Sequence, residues 1–433
     1  MRPMKIYSRK DLPRLRYIAG ILLGDILGLS FEIVTDRRRL GKSPVINYSA
    51  ENITGALKIN PCTLLYETGV SEHEIIFDEW KGLPVFFLNG KGSDIPFDIF
   101  AASFFLVSRY EEYLSYIPDE HGRFPASKSL SARNGFLNIP VVDLWVKELT
   151  KEILKKYPET TFRRNEFKTL LTIDSDQPFA YSGKNIFRNT GGFVRDILKE
   201  KKVSLDRYRV LSGLKKDPFQ VYDYIIEKIE ENSVDTRFFF PTGGLTKYDK
   251  NPSWRNKKYR DLIRTIAGKY CNGIHPSYYS SDDNKLLAKQ IMRLETITGK
   301  KVEDSRFHYI RFSIPFSYRN LLSAGVTNDY SMGYAEEPGF RAGIARPFPF
   351  YDVLQDTQTL LRIIPFQVMD ATLYQYKKMD PEESAVTVMR LINETRKAGG
   401  LFVSIWHNTS LINNLQWGKW RELFENILKV STE

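Results

Sequence analysis

From residue 167 onward the chain alternates predicted strands with predicted helices, and this alternation limits the possible folds more than any other feature. Short apolar segments typical of strands cover residues 169–173, 236–240, 270–274, 306–313, 325–328, 359–365 and 401–406. Helices are predicted between them over about residues 257–269, from Asp283 to Gly299, and from Asp380 onward. Strands separated by helices of this length lie parallel and are joined by right-handed crossovers. The pattern therefore predicts an α/β fold. Six or seven such units favour a distorted (β/α) barrel, complete or incomplete, over an open sheet.

The first part of the chain, up to about residue 155, has a different order of predicted elements. It mixes short strands, such as residues 83–88, with helices predicted over 98–115 and 142–156. The segment 155–167 is polar and has no apolar period, which is typical of a boundary. We therefore expect a smaller N-terminal α/β domain over residues 1–160, of unknown role, and the barrel over residues 161–433.

An apolar stretch over residues 17–29 follows several basic residues and imitates a secretory signal. Asp25 interrupts the stretch, and no clear cleavage site of small residues follows it. We interpret it as a buried helix that leads into a strand over residues 30–34, and we expect a cytoplasmic protein. No run of about 18 uncharged apolar residues is present, so no transmembrane helix is expected.

The chain is basic, with 63 Lys and Arg against 52 Asp and Glu, a formal net charge of +11. Such an excess can attract nucleic acids, anionic lipids or anionic glycans. Here the basic residues are dispersed among acids, and the densest group, residues 37–42, is short and has no nucleic-acid-binding motif beside it. We expect no nucleic-acid partner. The two cysteines, Cys62 and Cys271, lack metal-ligand spacing, so no cysteine zinc site is expected.

Polar residues at predicted strand ends are the first candidates for a functional site, because working residues of α/β barrels lie at the carboxyl ends of strands. Asp174 and Asp176 follow the apolar strand TLLTI, and His275 and His407 follow two others. Positions two apart on a strand point to the same face, so the two carboxylates would repel each other without a cation or a shared proton. A divalent metal is one explanation, and an Asx turn that closes the strand is the other.

Four segments, TIDSD, GIHPSYYS, RFSIP and SIWHN, occur in the order of the motifs of the polysaccharide deacetylase superfamily, which the chain resembles over about residues 165–433. The run DYSMGYAEEPGFRAGIARPFPFYD, with RYEEY and DEHGRF, is similar to a subgroup that has an extra N-terminal domain and is linked with bacterial polysaccharide biosynthesis. The resemblance implies a metal-dependent carbohydrate esterase of family four, which removes N-acetyl groups from sugars on a distorted (β/α) barrel.

The resemblance also implies roles for the catalytic residues. Asp174 resembles the base that takes a proton from water, and His407 resembles the acid that protonates the leaving amine. Arg311 resembles the arginine that orients the base. Asp370 follows the strand-like segment IIPFQVM and is a further candidate carboxylate.

The metal site implied by the resemblance departs from the family pattern. Asp176 and His275 match two ligands for an ion that would be Zn²⁺, or Co²⁺, Ni²⁺ or Mn²⁺, but Tyr279 and Ser280 stand where a second histidine is usual. His308 is the candidate replacement, and its alternative interpretation is a buried histidine bonded to a backbone carbonyl. In a regular strand His308 and Arg311 would face opposite sides, so both face the site only if a bulge intervenes. If His308 does not replace the missing histidine, the site binds metal weakly or not at all.

Contacts to the substrate are predicted for four residues, namely Arg341, Tyr279, Ser280 and Trp406. Arg341 lies between glycines and after an acidic loop, so its alternative interpretation is an ion pair with that loop. The leading hypothesis is a metal-dependent hydrolase that removes an N-acyl group from a sugar or glycan precursor. The alternative is a catalytically impaired carbohydrate-binding or scaffold protein on the same fold. The sequence leaves the sugar, the acyl group, the metal and the oligomeric state open.

Overall fold

The computed structural model describes residues 2–182, 201–414 and 417–432, and the strands of these residues fall into two sheets and a hairpin. The strands of the larger sheet are β7 (Lys168–Asp174), β8 (Asp235–Phe240), β9 (Cys271–Ile274), β10 (Asp304–Ser305), β11 (Asn328–Asp329), β12 (Phe348–Asp352), β13 (Thr357–Ile363), β14 (Val368–Met369) and β15 (Leu401–His407). The smaller elements are β1 (Met4–Tyr7), β2 (Phe31–Val34), β3 (Val45–Asn47) and β4 (Leu57–Lys58), with the hairpin β5 (Phe77–Trp80) and β6 (Leu83–Phe86).

The larger sheet has the order β12-β13-β11-β10-β9-β8-β7-β15-β14. The paired strands of this sheet are parallel apart from β12 and β13, which pair antiparallel. The α/β class with a parallel sheet is therefore confirmed, whereas closure into a barrel stays a prediction. The first sheet, of order β2-β1-β3-β4, is also parallel.

Helices cover much of the connecting chain, and several have the predicted bounds. They are α1 (Pro13–Ala19), α2 (Ile99–Val107), α3 (Leu130–Arg133), α4 (Val141–Lys156), α5 (Lys201–Leu211), α6 (Tyr222–Asn232), α7 (Lys257–Lys269), α8 (Asn284–Thr298), α9 (Phe316–Ser323), α10 (Pro381–Ala398) and α11 (Gly418–Thr432). Local signals account for the agreement. A capping box at Asp380 begins α10, and Gly299 ends α8 in the left-handed conformation that glycine adopts at low cost.

The apolar stretch over residues 17–29 is buried, as predicted. It continues α1 into a π-helical segment, Gly20–Ile26, and leads into β2. Among the described residues, none of the helices combines the length and apolar character needed to cross a bilayer. One continuous apolar core includes residues from both the N-terminal region and the larger sheet. The division at residue 160 stays a prediction.

Two sequence predictions are wrong in detail. The helix expected over 98–115 ends at Val107, because Arg109 adopts a left-handed conformation, and the RYEEY segment forms a buried 3₁₀ turn instead of an amphipathic face. The strand expected over 306–313 lies earlier and is shorter, because β10 covers only Asp304–Ser305. Within the expected range, His308–Ile310 form a 3₁₀ turn. The alternation that would set His308 and Arg311 on opposite faces therefore does not apply.

Candidate active site

The carboxyl ends of neighbouring parallel strands bring the candidate residues together. The last register position of the β7–β15 pair joins Asp174 to His407, so their backbones lie side by side. His275 follows the last residue of β9, and Arg306 follows the last residue of β10, the next strand in the sheet. Segments far apart in sequence thus converge at one edge of the sheet, where ligands of parallel α/β folds bind.

Asp176, His275 and His308 form a cluster that suits a metal ion. One ligand atom from each lies within 4.8 Å of the others. Asp176 Oδ1 is 3.0 Å from His275 Nε2, and its Oδ2 is 3.2 Å from His308 Nε2. Two imidazoles and one carboxylate are a donor set that catalytic zinc sites use, with a further position left for water or substrate.

Each histidine of the cluster has its other ring nitrogen on a protein acceptor. His275 Nδ1 lies 2.5 Å from the backbone oxygen of Arg306, and His308 Nδ1 lies 2.9 Å from Asp249 Oδ1. With Nδ1 on an acceptor, each Nε2 faces Asp176, and loss of its proton would give the Nε2 lone pair that a metal-binding imidazole needs.

Within the cluster, Asp176 Oδ2 is hydrogen-bonded to His308 Nε2, but one pair of facing atoms has no hydrogen bond. Although Asp176 Oδ1 and His275 Nε2 are 3.0 Å apart, they form no hydrogen bond, and neither atom has a hydrogen-bond partner within the described chain. Buried polar atoms are normally hydrogen-bonded, so such exceptions call for an explanation. Two potential ligand atoms that face each other without a hydrogen bond fit a site in which both bind the same ion.

The charges of the cluster are strongly coupled. Burial opposes the ionisation of Asp176, but His308 and His275 outweigh burial and hold the pKa of Asp176 well below its ordinary value. Burial lowers the pKa of His308, yet Asp176 and Asp249 outweigh it and raise that pKa to about 9. Without a metal ion, a proton on His308 therefore balances the negative charge of Asp176 and Asp249. A divalent cation bound at this position would displace that proton.

His407 faces the cluster from the end of β15 and is held by Asp370. His407 Nδ1 lies 2.6 Å from Asp370 Oδ1, and the other oxygen of Asp370 accepts the His407 backbone N–H at 2.8 Å and the hydroxyl of Ser410. Burial lowers the pKa of His407, but Asp370, with Asp176 and Asp174, raises it to about 10. A histidine kept protonated in this way can give a proton to a leaving group.

Asp174 is 2% exposed and lies beside an arginine that sequence reasoning missed. Its Oδ2 is 3.9 Å from His275 Nε2, and its Oδ1 is 3.8 Å from Nη1 of Arg306. Arg306 is fully buried between the rings of Phe239 and Phe366, and its three side-chain nitrogens have no hydrogen-bond partner in the described part of the chain. Arg306 therefore places a buried positive charge next to Asp174.

A cavity of about 300 Å³ lies over these groups, at the lower end of the size range of small-molecule sites. Its side chains include five of the predicted site residues, namely Asp174, Asp176, His275, His308 and His407. Four tyrosines form part of its surface, which we call the aromatic wall: Tyr248, Tyr309, Tyr374 and Tyr376. The cavity therefore combines carboxylates and imidazoles, which are suited to proton transfer and to metal binding, with an amphipathic surface.

Arg311 lies outside this cavity, which corrects the prediction that it orients the base. Its Nε donates to the backbone oxygen of His121 at 2.9 Å, its Nη1 donates to that of Tyr278 at 3.1 Å, and its Nη2 lies 2.5 Å from Asp282. The arginine beside Asp174 is Arg306 instead.

Arg341 is also remote from the cavity and does not contact the acidic loop at residues 336–337. Its Nε and Nη2 form two hydrogen bonds with Glu112, of 2.9 and 2.6 Å, and its Nη1 donates to the Gly333 carbonyl. Arg109 contacts Glu111, Glu112 and the Arg341 backbone as well. We call these four charged residues, Arg109, Glu111, Glu112 and Arg341, the paired cluster.

The remaining predicted substrate contacts do not line the cavity either. Tyr279 is 49% exposed, and the Ser280 hydroxyl donates to the Ser277 carbonyl at 2.6 Å. Trp406 is buried against Phe424, because neighbouring residues of a strand point to opposite faces and His407 takes the cavity face.

Asp249 and Arg306 are the site residues that sequence reasoning missed. Arg306 directly follows β10, so the strand-end rule would have selected it if the strand had been predicted to end at Ser305. Asp249 lies in a loop beyond β8 and carries no comparable sequence signal.

Comparisons with known proteins complete the description of the site. Residues 4–158 match the model of a family of unknown function, DUF7033. No curated protein sequence matches the chain. Among solved structures, a protein from Mycobacterium smegmatis assigned to the polysaccharide deacetylases is similar, with 15% identity and a TM-score of 0.41, over 61% of this chain and 84% of that one.

Two further solved structures are similar to this chain. A CE4 family pseudoenzyme from Bacillus anthracis has 12% identity and a TM-score of 0.30, over 62% of each chain. The catalytic domain of a peptidoglycan N-acetylglucosamine deacetylase from Eubacterium rectale has 10% identity and a TM-score of 0.29, over 62% of this chain and 84% of that one. Because these three TM-scores are below 0.5, the similarity assigns no activity to this chain.

Proposed function

We propose that this chain is a divalent-metal-dependent hydrolase that removes an N-acyl group, in particular an acetyl group, from a sugar or glycan precursor in the cytoplasm. The observation that carries the proposal is the convergence of the Asp176, His275 and His308 cluster with Asp174 and His407 in one cavity. The motif resemblance supplies the substrate class.

Asp176, His275 and His308 are the residues that would hold the ion, which we propose to be Zn²⁺, with Co²⁺, Ni²⁺ or Mn²⁺ as alternatives. Bound there, such an ion would polarise the acyl carbonyl and make water more acidic. Asp249 and the Arg306 carbonyl fix the two imidazoles, so little reorganisation is needed when the ion enters.

Asp174 and His407 are the two groups placed to move protons. Asp174 is the base that accepts a proton from the attacking water, with the Arg306 guanidinium beside it. His407 is the acid that protonates the amine nitrogen as the C–N bond breaks, and Asp370 stabilises the imidazolium before that transfer. Water adds to the acyl carbon, so the products are a carboxylic acid and an amino sugar.

The alternative function, a carbohydrate-binding or scaffold protein without activity, is less well supported. The position of the usual second histidine is occupied by Tyr279, but His308 provides an imidazole at the cluster from another segment. A buried His407–Asp370 pair and an unpaired Asp174 oxygen have no evident use in a protein that only binds sugars.

The test is acetate release by the full-length chain from N-acetylglucosamine oligomers and from N-acetylated sugar monomers. The chain would be reconstituted with each of the four metals. We expect release that a chelator stops and that added metal restores. Asp174→Asn and His407→Gln should each reduce the rate about 100-fold or more while leaving metal stoichiometry unchanged. Metal binding without hydrolysis of any N-acyl sugar, together with unchanged sugar binding in both variants, would favour the scaffold.

A further inference from the structure

A loop of the N-terminal region reaches the edge of the cavity. The loop 119–123 lies within the residues that match the family of unknown function. Its Arg123 is 5% exposed and donates through Nη1 to the backbone oxygen of Tyr309 at 2.8 Å and to the hydroxyl of Tyr376 at 3.4 Å. Tyr309 and Tyr376 belong to the aromatic wall, so one arginine connects two of its four members to the N-terminal region.

The backbone that Arg123 contacts has an unusual conformation. Tyr309 and Ile310 are consecutive non-glycine residues with φ of 62° and 53°, and both line the cavity. Such conformations are unfavourable for residues other than glycine and persist only where surrounding contacts impose them. The hydrogen bond from Arg123 to the Tyr309 carbonyl is one such contact, and it lies next to the metal-cluster residue His308.

Arg123 is itself held in place within the loop. Asp119 accepts from its Nε at 2.7 Å and from its backbone N–H at 2.8 Å. Asp119 also accepts the backbone N–H of His121 at 2.9 Å. One carboxylate therefore holds the Arg123 side chain and the backbone of His121.

His121 makes the second connection. Its ring centroid lies 5.1 Å from that of Tyr309 and 5.9 Å from that of Tyr248, and its Nδ1 is 3.0 Å from the Tyr278 hydroxyl. Its backbone oxygen accepts from Arg311, which accounts for the position of that arginine outside the cavity. Three tyrosines of the aromatic wall are thus in contact with this loop through His121 and Arg123.

We propose that the loop 119–123 is a positioning element of the substrate site. It fixes Tyr309 and Tyr376 in the orientation in which they contact a sugar ring of the substrate, and Arg123 is its principal positioning residue. Tyrosines combine an apolar face with a polar end, as sugar rings do, and a wall fixed before binding loses less conformational freedom when the ligand arrives. The saccharide in this statement rests on the proposed function, whereas the fixing of the wall does not.

The first test is hydrogen–deuterium exchange of the full-length, zinc-supplemented chain. Peptides over residues 306–313 and 370–378 report on the wall, because amides such as those of Ile310 and Arg311 are hydrogen-bonded within the turn. In Arg123→Ala we expect exchange in these peptides to rise about tenfold, since a hydrogen bond from a charged donor is lost. Peptides of β7 and β15 should not change. Arg123→Lys should restore part of the protection, and Arg133→Ala, an exposed arginine of the same region, should resemble the wild type.

The second test is the kinetics of the same variants on N-acetylchitotetraose. Contacts made by the wall act on the bound substrate and on the transition state alike, so Arg123→Ala should raise KM about tenfold and leave kcat within a few-fold. Wild-type exchange at residues 306–313 in Arg123→Ala would overturn the proposal, and so would a loss of kcat at unchanged KM. If the wild type does not hydrolyse the probe, the proposed function fails, but the exchange measurement still decides the role of the loop. If Arg123→Ala does not fold, Asp119→Asn provides the same test with a smaller expected change.

Discussion

The chain contains two buried groups of charged residues that use similar residue types in opposite ways. In the paired cluster, Arg341 and Arg109 meet the carboxylates of Glu112 and Glu111 at 2.6 to 2.9 Å. The second group lines the cavity, and we call its members, Asp174, Asp176, His275 and His308, the cavity cluster. Buried atoms of Asp174, Asp176 and His275 have no hydrogen-bond partner among the described residues. The charged residues of the paired cluster bond to one another, whereas the cavity cluster has ligand atoms without a protein partner beside the cavity.

The difference shows that buried charge alone does not identify a functional site. The sequence makes Arg341 a substrate-binding candidate. In the structure its guanidinium instead forms an ion pair with Glu112, a residue of the N-terminal region 229 positions away. The paired cluster joins the two regions of the molecule, whereas the cavity cluster has ligand atoms without a protein partner in the described part of the chain. The unsatisfied donor atoms, rather than burial or charge, are what distinguish the two.

The largest effect is expected from Asp176→Asn. An amide is a poor substitute for a carboxylate that contacts two ligand histidines, so we expect zinc binding and hydrolysis to fall below detection. The metal-free variant should still fold, with a lower thermal stability because it loses the buried ion pair between Asp176 and His308. Zinc content and thermal unfolding measured on the same preparation check both parts, and a variant that keeps one zinc per chain would contradict the assignment of Asp176.

A loss of about 10²–10⁴-fold in kcat is expected for His407→Gln, the range that general acid catalysis provides. Because His407 is placed to protonate the leaving group and not to hold the ion, zinc stoichiometry should be unchanged. Asp370→Asn, which removes the carboxylate at 2.6 Å from His407 Nδ1, should lower kcat in the same direction by a smaller factor. Loss of zinc in His407→Gln would move that residue into the metal cluster.

The paired cluster should respond in stability and not in activity. Removing one partner from a buried ion pair is unfavourable by about 3–5 kcal/mol, so Glu112→Gln should lower the free energy of unfolding by about that amount. Zinc stoichiometry of the folded protein should not change. Glu337→Gln is the control, because Glu337 pairs with Lys377 at the surface, where an ion pair contributes about 0–1 kcal/mol. Equal effects of the two variants in denaturant titrations would remove the distinction between the clusters.

The smallest effect is expected from Asp249→Asn. Asp249 accepts from His308 Nδ1, and replacing such a partner of a metal-ligating histidine typically lowers metal affinity about 10–100-fold. Competition with a chelator of known affinity measures the change. An unchanged affinity would mean that His308 does not need Asp249 to present Nε2 to the ion.

The parts of the site that could be predicted from sequence are those set by local patterns. Asp174, His275 and His407 each follow an apolar strand segment, and the strand-end rule places all three in the cavity. Helix α7 has its predicted bounds, because Asn256 caps its start and its apolar residues recur at helical spacing.

The parts that could not be predicted depend on contacts between distant segments. Tyr309 and Ile310 adopt left-handed conformations within a turn that a residue of the N-terminal region, Arg123, helps to hold. No local pattern reports such a turn, so the segment resembled a strand, and the positions of His308 and Arg311 remained unresolved. The role of Glu112 was missed for the same reason, since its partner Arg341 is remote in sequence.

The most direct test of the metal cluster is the zinc content of the full-length wild type and of His308→Ala after reconstitution, with circular dichroism to verify the fold. His308 is the proposed ligand that has no counterpart in the deacetylase motifs that the sequence resembles, and its Nε2 lies 3.2 Å from Asp176 Oδ2. We expect one zinc per chain in the wild type and almost none in a folded His308→Ala variant. A wild type that binds no metal, or a folded variant that still binds one zinc per chain, would contradict the assignment.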